Sequence, residues 1–444
     1  MLESGNVSSL RSAAVRKTLL AIAVFVVVSG AGLVVGLPAG GGAAYAALQK
    51  VNFMFVANPP EYQLWKELVD KFNASRRDVQ VTIQWVPGSW DDVHAKALVG
   101  IAAGTPPDVV RLHESQYSDW VRANLLTSLN GFIKDDKYEL NVFFPQIIMP
   151  LQINGQLYGF PQTIATRALA FNKAMLDDAG LKYPDASWRW DRELLEAAKK
   201  LTDPSKDRWG VGFWFHTGPS VLLADIPEII WSFGGDVFTR DDKFVLDSES
   251  ARQGIQFLLD LIQKYKVFPA DGSIAHAFWQ GRLAMWNTGT WDISSIRSSG
   301  VDFDFAPTPS GPKGAYSWVN SALYVIPKGA RADAAWEFIK YLMSFEGQDI
   351  FSVRGGSGVP VRKDLISKYI SQPGPPNWSA FLISVERGRM PYYPPNQNRI
   401  LDALSRNWSD LYKGAISLDA WLGEVKPIVD KILAEPFKGP QVPK

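Results

Sequence analysis

The chain has no cysteine among its 444 residues. That excludes disulfides, thiolate metal centres, a cysteine nucleophile and the lipid-bearing cysteine of a lipoprotein. Histidine is scarce too: His94, His113, His216 and His276 lack the spacing of a metal site. Neither sign of charge is in excess, with 46 basic against 45 acidic side chains, so no nucleic-acid footprint and no acidic tail is visible. The motifs GxSxG, HExxH and GxxxxGKS/T are absent, which removes the common signatures of serine hydrolysis, zinc hydrolysis and phosphate cradling. After residue 46 no stretch is long and apolar enough to span a bilayer.

What is present is ordinary globular composition, 46% hydrophobic and 20% charged. It comes with a rich supply of flat amphipathic side chains, 17 Trp and 14 Tyr. The N-terminus reads as a targeting signal: Arg11, Arg16 and Lys17 precede the apolar run TLLAIAVFVVVSGAGLVVGLP, and Ala44-Tyr45-Ala46 offers a small-x-small cleavage pattern. Residues 1–46 are therefore expected to be a signal peptide, with an uncleaved membrane anchor as the alternative. The roughly 400 residues that follow exceed what one core usually supports, so two domains are expected.

Periodicity supports an α/β chain. VNFMFVA (51–57) reads as a buried strand, Pro59-Pro60 opens a helix with Trp65, Leu68, Val69 and Phe72 on one stripe, and VQVTIQWV is a second strand. A helix from about Trp90 to Ala103 ends at GTPPDVVRL, which begins a third strand near Asp108. This β-α-β-α-β alternation implies a parallel sheet with helical crossovers. Further on, RALAFNKAML runs from strand into helix, FDFAPTPSGPKG suits a crossing segment, and ALYVIPKG is again a strand. In GRLAMWNTGTWD (281–292) a strand containing Trp286 runs into a turn at Gly289, with Trp291 just beyond it.

These segments, in this order, make the chain resemble the extracellular solute-binding proteins of the maltose-binding-protein type, the sugar-capturing components of bacterial ABC importers. The stretches carrying the resemblance are AAGTPPDVV (102–110), GQLYGFPQTIATRALAFNKAML (155–176), SWRWDRELLEAAKKLTD (187–203), QGRLAMWNTGTW (280–291) and GGSGVPVRKD (355–364). The resemblance implies a two-lobed periplasmic-binding-protein fold, type II-like, each lobe a central sheet flanked by helices, joined by a hinge. It places residues 47–163 plus 319–362 in the N-terminal lobe and 164–318 plus 363–444 in the C-terminal lobe. The chain would leave the first lobe near Gln162 to Thr166, return near Trp318, and cross again around residues 362–372. It further implies a sugar held between the lobes, delivery to membrane permease subunits, a monomer that performs no chemistry, and no cofactor.

The candidate ligand residues follow from that comparison and from the loops themselves. Sugar hydroxyls need paired donors and acceptors, and their C–H faces need flat apolar surface. Trp291 stands where the family commonly stacks an aromatic on sugar, whereas Trp286, inside the strand pattern, is expected in the core. His113 and Glu114 follow the third strand, with helix capping as the bland alternative. Trp90 and Asn58 follow the second and first strands; Asn58 also suits a turn before Pro59. Trp214 in GFWFHTGP and Trp231 in IIWSFGGD are candidates from the second lobe, each with a core role as the alternative. Gln162 and Thr163 lie on the crossing, Asn320 and the Gly355-Gly356-Ser357 loop where the first lobe resumes, and Tyr393 in MPYYPPNQN is a candidate wall. QTIAT carries no carboxylate where maltose-binding members often have one, which argues against maltose itself.

Two rival functions remain open at this point. A secreted glycosidase needs two carboxylates flanking one bond, but Asp91-Asp92, Asp177-Asp178 and Asp241-Asp242 sit where helix caps and turns explain them. A carrier of a cationic or other non-sugar solute would need a cleft lined by carboxylates; Glu114 keeps that reading open.

Overall fold

The computed structural model describes residues 48–440 except 270, 271, 357 and 374–376. The segment 1–46 read as a signal peptide, and Ser357, lie outside the described residues. Thirteen strands are described: β1 Gln49–Phe55, β2 Val79–Trp85, β3 Val109–Leu112, β4 Gln152–Ile153, β5 Gln156–Leu157, β6 Gly159–Pro161, β7 Ala165–Asn172, β8 Trp209–Gly212, β9 Leu283–Gly289, β10 Phe303–Ala306, β11 Ser317–Asn320, β12 Leu323–Val325 and β13 Gly388–Arg389.

They form two principal sheets. The first has the order β2-β1-β3-β12-β6, with β1, β2 and β3 parallel and β12 antiparallel to both β3 and β6. The parallel pairs require crossover helices, and Pro59–Ser75 and Trp90–Ala102 supply them. Both start where local chemistry says they should. Asn58 accepts the Glu61 N–H with two prolines in the first turn, and Ser89 with Asp92 forms a reciprocal capping box. The second sheet runs β13-β11-β7-β9-β8, with β10 beside β7; β7 is its long central strand and almost wholly buried. β4 and β5 pair with each other as a small separate hairpin.

Each sheet is buried by helices whose apolar stripes face it. Phe53 packs against Trp65 and Phe338 in the first lobe, and Phe305 against Phe381 in the second. Trp286 is fully buried, edge-on to Trp214 and close to Phe278, as expected of a core indole.

The chain passes between the sheets where β6 ends at Pro161 and β7 starts at Ala165. The return falls slightly later than the sequence suggests. Val319 and Asn320 pair with Thr166 and Ala165 of the second sheet, and only from Leu323 does the chain join the first. The strand pairing at the junction therefore puts the crossing at Ser321–Ala322 rather than before Val319.

Candidate functional site

Both crossings meet at the carboxyl ends of the parallel strands, where loops converge and ligands of open α/β sheets sit. Between the lobes lies a cavity of about 380 Å³. The first lobe contributes Glu61, Trp90, Arg111, His113 and Glu114, the crossings Gln162, Thr163, Ser321 and Ala322, and the second lobe Arg167, Thr290, Trp291, Trp318 and Asn320.

Its organising elements are two buried guanidiniums, one per lobe. Arg111, in the apolar strand VVRL, donates from Nε to the Gln162 side chain, from Nη1 to the Val56 carbonyl at 2.6 Å, and pairs through Nη2 with Glu61 at 2.7 Å. It lies 4.5 Å from the Trp90 ring centroid and 5.5 Å from that of Trp65. Arg167, in the opposing strand β7, pairs with Asp225 and donates to the Ala224 carbonyl, 4.9 Å from the Trp291 ring and 5.3 Å from that of Trp318. A buried charge is tolerated only when paired, and each cation has its own carboxylate. Arg167 Nη1 alone finds no acceptor among the described residues, on a side chain 2% exposed that lines the cavity.

Trp291 is 46% exposed, in the middle of the 3-10 turn Thr290–Asp292 that follows β9. Trp318 stands edge-on to it at 5.9 Å. The indole folds back over Gly289: an added Cβ there would overlap its six-membered ring, so the absent side chain is what admits this pose. Beside it, burial raises the Asp292 carboxyl, opposed by a bond from the Thr288 hydroxyl and by the Arg167 charge. Burial likewise raises Glu114, with His113 opposing. Beneath the Arg167 pair, Glu228 is buried, bonded to Asn287 Nδ2 at 2.6 Å and pushed up to about 7 by desolvation.

The structure thus gathers Trp291, Trp90, His113, Glu114, Gln162, Thr163 and Asn320 around one cavity. Some are also structural. His113 caps the helix Glu114–Arg122, Gln162 holds Arg111, and the Thr163 hydroxyl donates to the Val359 carbonyl at 2.8 Å. Tyr393 is buried beside the cavity, its hydroxyl accepting from Asn320 Nδ2 at 2.8 Å and donating to Glu114 at 3.5 Å.

Besides Tyr393, four expected residues do not line this cavity, each for a packing reason. Asn58 spends its side chain on the Glu61 N–H as a helix cap. Trp214 packs edge-on against the core indole Trp286. Trp231 is 2% exposed under the Arg389 guanidinium, its N–H donating to Asp236 at 2.9 Å. Gly355 closes a helical turn against Leu64, where a Cβ would meet the Phe351 carbonyl and the Leu64 side chain.

Sequence reasoning missed Glu61, Arg111, Arg167, Trp318 and Ser321. The signal for the two arginines was there: a lone cation within an apolar strand must find a buried partner or a ligand. Among the described residues no group of three His, Asp or Glu is placed to hold a metal ion, and no helix is long and apolar enough to cross a membrane.

The family profile described as bacterial extracellular solute-binding protein matches residues 57–349. A maltotriose-binding protein of Pyrococcus abyssi is 27% identical over 302 residues, covering 66% of this chain and 62% of that protein's own length. A binding protein of Brucella abortus is 24% identical over 383 residues, 83% of this chain and 89% of its own. Among solved structures, an ABC substrate-binding protein from Listeria monocytogenes in complex with cycloalternan superimposes with a TM-score of 0.76 at 20% identity, covering 87% of this chain and all of that one.

Proposed function

The chain belongs to the bacterial extracellular solute-binding proteins, and from that premise we propose that it captures a mono- or oligosaccharide between its lobes and presents it, closed, to the membrane subunits of an ABC importer. One observation carries the sugar assignment. The interlobe cavity offers indoles from opposite lobes, Trp90 and Trp291, beside guanidiniums already neutralised by Glu61 and Asp225. An uncharged, hydroxyl-rich ligand suits such a lining: its C–H faces lie on the rings while its oxygens meet polar side chains of the lining such as His113 and Glu114. The maltotriose and cycloalternan carriers among its relatives and structural neighbours agree with that chemistry.

Closure follows from where the ligand sits. A sugar touching both lobes favours whichever lobe arrangement makes both sets of contacts, by its difference in affinity for the two states. The carrier works as a monomer, without nucleic acid or cofactor, and any ATP is spent by a separate subunit. With no cysteine to carry lipid, the exported protein is either free in the periplasm after cleavage near Ala46 or tethered by residues 1–46.

A thermal-shift screen of residues 47–444 against mono- and oligosaccharides tests this, with polyamines and phosphorylated solutes as controls. A ligand that binds only the folded chain raises the melting temperature with concentration. A shift by one sugar series, abolished in Trp291→Ala, is expected; a shift by polyamines alone would replace the sugar reading with a cationic solute held at Glu114.

A further inference from the structure

We infer from the geometry that Asp292 is a positioning residue for the sugar: its carboxylate holds the Trp291 ring in place, and sugar affinity falls when that carboxylate takes up a proton. The inference rests on the sugar reading above, with Trp291 as the surface that meets the ligand. Asp292 itself is not part of the cavity lining. It stands at the N-cap of the helix Ile293–Ser299, where an aspartate ordinarily accepts N–H groups of the first turn. Here its side chain makes no capping bond. It accepts instead from the Thr288 hydroxyl, on strand β9, and from the Trp291 indole N–H. The carboxylate is spent on the indole rather than on the helix.

Three contacts then define one pose. Asp292 takes the N–H of the ring, the Arg167 guanidinium lies 4.9 Å from its centroid, and Trp318 stands edge-on at 5.9 Å. Of the three, the bond to Asp292 is the directional one, because an indole has a single N–H. A hydrogen bond to an ionised acceptor is about twice as strong as one to a neutral acceptor, so protonation of Asp292 loosens the ring. The charged groups acting on this carboxyl are Arg167 from β7, which favours the ionised form, and Asp225 from the segment before Pro227, which opposes it. Glu228, on the helix Pro227–Ser232, faces the same guanidinium, while Arg297 of the helix after Asp292 lies over the Trp378 ring at 5.4 Å. Burial outweighs Arg167 and raises the carboxyl, so its proton arrives in milder acid than on an exposed aspartate.

The test is titration calorimetry on the full exported chain with glucose, maltose, maltotriose and arabinotriose, at a series of pH values from neutral down to about 4.5. Asp292→Asn keeps an acceptor for the indole N–H but not the charge, and at neutral pH it is expected to bind the sugar about threefold more weakly than wild type. Asp292→Ala, with no acceptor, should lose about tenfold. As the pH falls, wild type should weaken towards Asp292→Asn until the two converge. Glu114 lines the cavity and also gains a proton in acid, so the gap between the two curves is the readout rather than the wild-type curve alone. In a Trp291→Ala background neither Asp292 substitution should change affinity further, which a merely structural role would not produce. A gap that is absent or constant with pH, or an equal loss with and without Trp291, overturns the inference and leaves the sugar reading standing. A wild type that binds none of the four sugars overturns the sugar reading and this inference with it.

Discussion

Gly289→Ala separates the pose of Trp291 from its mere presence. The backbone at Gly289 is extended, with φ of −126° and ψ of −178°, so alanine adopts it without strain. The obstacle is steric: the new methyl would overlap the indole ring of Trp291. The ring must swing away, losing its place over Arg167 at 4.9 Å and its edge contact with Trp318 at 5.9 Å. A cation–π contact contributes ~0.5–2 kcal/mol and an aromatic pair ~0.5–1.5 kcal/mol, so the indole's held position is worth about 1–3 kcal/mol. The cost to sugar affinity is expected on the same scale, roughly tenfold. The assay is calorimetric titration of the sugar found in the thermal-shift screen into wild type, Gly289→Ala, Trp291→Ala and the double variant. If one held ring is the platform, both single variants lose affinity and the double is no weaker than Trp291→Ala, a strongly non-additive cycle. Wild-type affinity in Gly289→Ala, or full additivity, would refute the argument.

Arg167→Met removes the buried Arg167–Asp225 ion pair and the cation that acts on Glu228. Breaking a buried pair costs about 3–5 kcal/mol, which urea unfolding should register as a lowered midpoint with unchanged slope. The same method checks Glu228: its carboxyl is pushed up to about 7 in the fold from an ordinary 4.5. Between those values the folded chain holds a proton that the unfolded chain has lost, so this group makes stability fall as pH rises from about 4.5 to about 7. The full effect is about 3 kcal/mol; Glu228→Gln should remove that slope and exceed wild type in stability at pH 8. Asn58→Ala should cost about 1 kcal/mol as a lost helix cap and leave sugar affinity unchanged; weakened binding would return Asn58 to the site.

Much of the architecture was legible because it rests on local rules. The stripe of Trp65, Leu68, Val69 and Phe72, the prolines after Asn58 and the alternation in VQVTIQWV each name their element without reference to the rest of the chain. The cavity lining was half legible. Trp291, His113 and Glu114 could be placed on it because they follow strand ends. Trp231 and Gly355 lie outside the cavity lining, which could not be read in advance because an indole or a glycine in a loop looks the same whether it faces a cleft or a neighbouring helix. Here Arg389 covers the first, and Leu64 fills the space beside the second.

By itself the sequence determined the α/β class, the absence of thiol chemistry and the strand ends from which the candidate loops start, since each depends on residue type and short-range period. Only the tertiary structure decided that Arg111 and Arg167 come to face one cavity from opposite lobes, each with its own carboxylate and indole. It also decided that the Tyr393 hydroxyl bridges Asn320 and Glu114, which stand 73 and 279 residues away along the chain. Pairings of that span arise when two sheets are joined by crossing strands, and no local period encodes them.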